Sequence, residues 1–230
     1  MLENTQKIKE LYEDIQRKIY YMIPEKWDKL FLYASVLERL GDVETGELYF
    51  YYIPKGILKK NPVNVYEIPS KFNLNEKEYL KLVEKLFNKI KELREEFKKA
   101  DLKKEVWSNL TISIQNMKFK VEYNYEDLLK SRFSSFERHV IWRSNYLGIG
   151  MDRCNRQEKE ALKQYQKTPE KPIRKEKYEA GIYIHDIQNI VDYKTEDYKE
   201  SQNISNLSNE EQELHLKNQI LFFNNEKVSQ

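Results

Sequence analysis

The 230-residue sequence predicts an α+β domain in which helices pack on one face of an antiparallel sheet, with a polar C-terminal extension. Some segments have apolar residues three and four positions apart, which form one stripe on a helix. Other segments have apolar residues at every second position, which is typical of strands. The strand-like segments occur in adjacent pairs, which favours antiparallel hairpins, and helices separate these pairs along the chain.

The chain begins with a predicted helix and a strand pair. Apolar residues recur at helical spacing from Ile8 to Met22, and Pro24 ends this helix because the residue before a proline is pushed out of the helical conformation. Residues 27–37 and 47–53 are rich in aromatic and aliphatic side chains, with a glycine-containing connection between them. They are predicted to be two antiparallel strands.

A long helix follows over residues 79–97, after a proline-rich stretch with room for one short strand at 63–66. Tyrosine, leucine, isoleucine and phenylalanine side chains form a continuous stripe on this helix, and lysine and glutamate occupy its other face. Asn75 is positioned as its N-cap, with Glu78 three residues later as in a capping box.

A hairpin over residues 110–125 and a third helix complete the predicted domain. Apolar and polar residues alternate on both sides of a turn at Asn116. Ser134 and Glu137 have the spacing of a capping box, and Gly148 is a suitable stop for the helix that Ser134 opens.

We expect the domain to span residues 1–150 and the extension to span 151–230. The extension is partly helical, over 152–167, and partly disordered in composition, over 199–209. A short apolar run at 181–184 is either a strand or a docking segment.

Composition excludes several classes of protein. The apolar runs are too short to cross a bilayer, and the first residues lack a hydrophobic signal core, so we expect a cytoplasmic protein with no membrane partner. A lone cysteine, Cys154, excludes a disulfide framework and a multi-cysteine zinc site. Residues 1–150 contain 27 lysines and arginines against 23 acidic residues, a net charge of +4 that is too small to indicate nucleic-acid binding.

A search for chemistry finds no catalytic motif. The three histidines, His139, His185 and His215, lie far apart in sequence and lack the spacing of paired metal ligands. We therefore expect no catalytic residue, no metal and no cofactor. An enzyme that uses His139 or His185 remains the least favoured alternative.

The predicted sheet is unusually aromatic, and both faces of strand 47–53 carry such side chains. Two interpretations are open. Loops or the tail cover the second face, or this face binds a partner, and the second interpretation fits because tyrosine and tryptophan dominate binding hot spots. If this face binds a partner, the residues that anchor the partner are Tyr49, Tyr51 and Trp27. If it does not, Trp27 is a residue of the core or of its rim.

Acidic residues near the end of the hairpin give this surface a charge. Glu122, Glu126 and Asp127 are a solvated edge or, beside the tyrosines, a surface that opposes a basic partner such as a nucleic-acid enzyme. The alternative is a nucleic-acid-binding module in which the tyrosines stack on bases and Lys118 and Lys120 contact phosphates.

Six motifs resemble the YezG-like antitoxin family, and the resemblance runs over about residues 5–149. They are WDKLFLYASV, GELYFYY, IPSKFN, LREEF, FKVEYNYED and ERHVIW, which occur in the order typical of the family. The resemblance implies a small cytoplasmic α+β immunity protein without enzymatic activity, paired with an LXG-type nuclease toxin that type VII secretion exports. Its implied partner is the C-terminal nuclease domain of that toxin, with no direct contact to nucleic acid.

The chain continues for about 80 residues beyond the matching part, and the resemblance implies nothing for this extension. Because the matching part carries a net charge of +4, we expect inhibition to depend on shape and local patches, or on distortion of the toxin, and not on overall charge.

Overall fold

A computed structural model describes residues 6–38, 44–56, 61–100 and 106–181. The predicted run at 181–184, apart from Gly181, and the stretch 199–209 lie outside these residues. Within them the helices are α1 (Gln6–Met22), α2 (Ile68–Phe72), α3 (Glu76–Ala100), α4 (Ser135–Leu147) and α5 (Arg156–Lys167). The strands are β1 (Trp27–Glu38), β2 (Glu44–Pro54), β3 (Val63–Asn64), β4 (Asn109–Gln115), β5 (Lys118–Tyr125) and β6 (Arg174–Gly181).

The described strands form one antiparallel sheet in the order β3-β2-β1-β4-β5-β6. This arrangement confirms the predicted α+β class. The two predicted hairpins, β1–β2 and β4–β5, lie side by side because β1 also pairs with β4. The sequence did not reveal β6, which lies in the predicted extension and pairs with β5 along its whole length.

The main hydrophobic core lies between the sheet and the helices α1 and α3. Alternate residues of the central strands point to these helices and are fully buried, among them Leu30, Leu32, Phe50 and Ile112. The apolar stripes of α1 and α3 cover them, as the spacing of their leucines and isoleucines predicts. Burial of this core is the main source of stability for the domain.

The opposite face of the sheet is covered in part by α4. We predicted helices on one face, and α1 and α3 are so placed. The structure adds α4 on the second face, where Trp142 packs against the rings of Tyr33, Tyr49 and Tyr51. The second aromatic face of β2 is therefore covered by a helix of the domain, instead of the loops or tail that we considered.

The ends of α4 and α5 have the local structure that their sequences dictate. Ser134 and Glu137 form the predicted capping box, and Gly148 ends α4 in the left-handed conformation, with φ of 65°. Asn155 and Glu158 form a second capping box at the start of α5, which packs against α4 in a small separate core. Residues beyond 150 thus contribute to the same layer as α4.

Candidate partner-binding site

The predicted anchors Tyr49 and Tyr51 lie beneath α4. Their side chains are 8% and 7% exposed. The Tyr49 ring stacks on Tyr33 at a centroid distance of 4.8 Å, and Trp142 lies about 6 Å from both β2 rings. With α4 in place, Tyr49 and Tyr51 form the core of the second face, and a partner reaches neither ring directly.

A half-buried ion pair joins the start of α4 to β2. Arg138 Nη2 lies 2.6 Å from Glu47 Oε1, and the Tyr49 hydroxyl donates a hydrogen bond of 2.8 Å to Glu47 Oε2. Burial alone would raise the pKa of Glu47, but hydrogen bonds from Ser135 and Tyr49 and the charge of Arg138 outweigh it and lower this pKa. Glu47 is therefore a charged anchor for α4.

His139 of α4 is held between the aromatic rings of β2. Its ring stacks on Tyr49 at 4.0 Å, and its Nε2 lies 3.0 Å from the Tyr51 hydroxyl. Burial, together with the nearby charge of Arg143, lowers the pKa of His139 to about 4. These contacts give His139 a structural role where α4 packs on the sheet.

Among the described residues, no group of three or more His, Cys, Asp or Glu side chains is placed to hold a metal ion.

Acidification from about pH 6.5 to pH 4 is expected to destabilise the fold through His139. The unfolded chain takes up a proton near pH 6.5, whereas folded His139 resists it until about pH 4, so this contribution to stability is present above pH 6.5 and is lost as the pH falls. Denaturant unfolding of the wild type and of His139→Gln between pH 7 and 4 checks this, since the variant should lose stability less steeply. An NMR titration of His139 with a midpoint near pH 6.5 would contradict it.

Glu122 is also tied to α4, at the other end of the helix. Its carboxylate accepts hydrogen bonds from the hydroxyl of Tyr146 and from Lys175 Nζ, and Lys177 Nζ lies 3.8 Å away. Burial would raise the pKa of Glu122, but the hydrogen bonds from Lys175 and Tyr146 outweigh it and lower this pKa. Its charge is thus compensated within the chain.

Glu126 and Asp127 follow β5 at one end of the sheet. The half-buried Glu126 carboxylate accepts a hydrogen bond from Asn109, and burial raises its pKa. Asp127 is exposed, accepts a hydrogen bond from the amide of Leu129 and forms an ion pair of 2.9 Å with Lys130. Of the three predicted acidic residues, Asp127 is therefore exposed, whereas Glu126 is half-buried next to it.

Trp27 lies apart from the other predicted anchors. It begins β1, is half-buried and packs against Tyr20 of α1 at 5.0 Å, on the face of the sheet that the main core occupies. The structure therefore brings together Tyr49, Tyr51 and Glu122 through α4, and separates them from Trp27.

The side chains of the nucleic-acid alternative are engaged elsewhere. Lys118 and Lys120 of β5 form ion pairs of 3.1 and 2.9 Å with Glu179 of β6. Since α4 covers the two tyrosines, the second face presents no open aromatic platform for bases among the described residues.

Comparison with known proteins identifies the family. A family model described as "Immunity protein YezG-like" matches residues 8–163, from α1 into α5. The chain belongs to this YezG-like family. It is 33% identical over 171 residues to the immunity protein YezG of Bacillus spizizenii, covering 74% of this chain and 99% of that protein.

Two further relatives of this YezG-like chain bear informative names. The immunity protein YezG of Bacillus subtilis is 32% identical over 62% of this chain and 89% of its own length. The type VII secretion system protein EsaG of Staphylococcus aureus is 28% identical over 63% of this chain and 83% of its own length. These matches confirm the resemblance drawn from the six motifs.

The YezG-like domain also exposes apolar residues that sequence reasoning did not select. Within the described residues, large apolar side chains more than two-fifths exposed are Tyr66, Leu80, Met117, Leu129, Phe136 and Ile173. Their positions in the sequence could have indicated this exposure, because several of them stand in turns or at helix starts, where a core residue is not needed. No helix in the described part of the chain combines the length and apolarity needed to cross a bilayer.

Proposed function

We propose that this YezG-like protein is the cytoplasmic immunity protein of an LXG-type nuclease toxin that type VII secretion exports. It binds the toxin's C-terminal nuclease domain and keeps it inactive in the producing cell. The observation that carries this proposal is the family match, because it spans α1 through most of α5, and so includes both helical layers and five of the six strands. The names of the relatives, immunity protein and type VII secretion system protein, agree with it.

Inhibition by occlusion suits the chemistry of the described surface. A nuclease binds a polyanion in a basic groove, and carboxylates of an inhibitor can fill such a groove. Glu126 and Asp127 follow the end of β5, close in sequence to the exposed Leu129. A partner that binds here can bury an apolar side chain and meet two carboxylates at the same place. The fold behind this surface depends on α4, which is held by Tyr49, Tyr51 and Glu122. The start of β1 is packed by Trp27. Distortion of the toxin's nuclease domain is the second way in which the same binding would inhibit.

Co-purification with the toxin encoded in a neighbouring reading frame tests this function. An inactive variant of the toxin's nuclease domain is expected to bind the tagged full-length chain, and co-expression of both should protect cells from the active toxin. The pair Glu126→Gln and Asp127→Asn should weaken binding by about tenfold, as expected for the loss of interfacial charge contacts.

The matched control is Glu92→Gln with Glu95→Gln, which removes two carboxylates from the exposed side of α3 and should leave the affinity unchanged. Absence of both a complex and protection would refute the function. A chain that bound DNA alone, with an affinity falling steeply as salt rises, would instead favour the nucleic-acid module.

A further inference from the structure

One edge of the sheet leaves part of a long strand unpaired. β2 has eleven residues, yet its outer neighbour β3 has two and pairs only with Tyr51 and Tyr52. Among the described residues, the part of β2 from Glu44 to Phe50 has no strand on its outer side. Its main-chain groups on that side are a template for another extended chain.

The direction of the main-chain groups follows from two hydrogen bonds. The Glu47 amide donates to Ser35 Oγ of β1, so the main-chain N–H and C=O groups of Glu47 point toward β1. The Leu48 carbonyl accepts a bond of 3.5 Å from the Tyr66 hydroxyl, which lies on the β3 side. Since successive residues of a strand alternate in direction, the N–H and C=O groups of Gly46 and Leu48 point out of the sheet.

The two edges of the sheet differ in their side chains. The outer strand β6 is rich in lysine, arginine and glutamate, and such a charged composition discourages pairing with another chain. At the β2 edge, Tyr66 reaches Leu48 through its hydroxyl and is 43% exposed. Leu80, 42% exposed, lies two helical turns before Phe87 and therefore on the same side of α3 as that residue. Phe87 packs on the backbone of Gly46, since a Cβ at that position would lie 2.5 Å from its ring. An apolar border and an open backbone thus meet only at the β2 edge of the described sheet.

Carboxylates give this edge a charge preference. Glu84 lies one helical turn after Leu80 on α3, and Glu67 directly follows Tyr66. Neither forms an ion pair with another described residue, in contrast to the paired glutamates of β6. The edge therefore complements an extended segment that carries both apolar and basic side chains.

We propose that the Glu44–Phe50 edge of β2 receives an extended segment of the toxin as an added strand. Main-chain hydrogen bonds to Gly46 and Leu48 hold the segment, its apolar side chains cover Tyr66 and Leu80, and its basic side chains face Glu67 and Glu84. The register of the sheet places Glu126 at the same end, about 14 Å away at three strand spacings, so one nuclease domain can contact both. This inference rests on the proposed function and specifies where the toxin binds.

A proline at the edge tests the inference with a control at the same position. Leu48→Pro removes an outward N–H and obstructs pairing, but an edge strand tolerates it where that N–H faces solvent. Leu48→Ala loses the same half-buried side chain and keeps the N–H. Leu48→Pro is expected to weaken binding of the inactive toxin domain about 100-fold, and Leu48→Ala at most about threefold. Thermal unfolding of both variants shows whether the proline variant is folded.

Hydrogen exchange of the wild-type chain decides the case even if the proline variant does not fold. The amides of Gly46 and Leu48 should exchange at least about tenfold more slowly in the toxin complex than in the free chain. Equal affinities of the two variants, or a tight complex without this protection, would overturn the inference while leaving the proposed function intact. Protection of these amides in the free chain through self-association would also overturn it. If the wild type does not bind the toxin at all, the proposed function and this inference both fail.

Discussion

Replacement of Trp142 by alanine is expected to lower the free energy of unfolding by about 3–5 kcal/mol, the usual cost of removing a large buried aromatic side chain. Trp142 is 5% exposed, and its ring contacts Tyr33, Tyr49 and Tyr51. Its Nε1 also donates a hydrogen bond of 3.1 Å to Thr111 Oγ1. The substitution leaves a cavity where α4 meets the sheet and removes this hydrogen bond.

Equilibrium denaturation by urea, followed by far-UV circular dichroism, measures this loss. Trp142→Phe is the matched variant, because it keeps a six-membered aromatic ring and loses the pyrrole ring with its bond to Thr111, so it should cost less, about 1–2 kcal/mol. A loss below about 1 kcal/mol for Trp142→Ala would mean that α4 is not packed on the sheet in solution.

Replacement of Glu47 by alanine is expected to cost about 2–3 kcal/mol, because it leaves the Arg138 charge without its partner. The two side chains are 14% and 18% exposed, which places the pair between a fully buried and a surface ion pair. The pKa of Glu47 is lowered in the folded chain, so its contribution is complete above the ordinary pKa of 4.5 and is lost as the pH falls below that value.

A double-mutant cycle with Arg138→Met isolates this pair, and unfolding free energies at pH 7 supply its four values. The control is the same cycle with Glu92→Ala and Lys89→Met in α3, because this pair is more exposed, at 49% and 27%, and its coupling energy should be under about 0.5 kcal/mol. A coupling energy no larger than that of the control would contradict the role of Glu47 as the anchor of α4.

Much of the fold could be predicted because local rules and burial agree. The stripes of α1 and α3, the alternation in β4 and β5, and the capping box at Ser134 each specify one structure, and the structure has all of them. The turn at Asn116 also has the left-handed backbone that asparagine tolerates.

The position of β6 and the burial of the tyrosines could not be predicted, because they depend on contacts between distant segments. β6 reads as a run of charged residues with few apolar side chains, which is typical of an exposed edge and also of a linker. The aromatic residues of β2 indicate two apolar faces, but nothing in the sequence of α4 specifies that Trp142 and His139 lie on the second one. The proposed anchors Tyr49 and Tyr51 are therefore better placed to hold α4 than to contact a partner. Of the predicted acidic residues at the end of the sheet, Asp127 is exposed and Glu126 is half-buried.

Titration of the nuclease activity that we propose for the cognate toxin tests the central claim most directly. The purified C-terminal domain of that toxin is incubated with a DNA substrate while the full-length chain is added at rising molar ratios. The account predicts that cleavage falls in proportion to the added chain and stops near equimolar amounts. The activity of an unrelated commercial nuclease, assayed as a control with the same chain, should not change. Cleavage that continues unchanged at a large excess of the chain would contradict it.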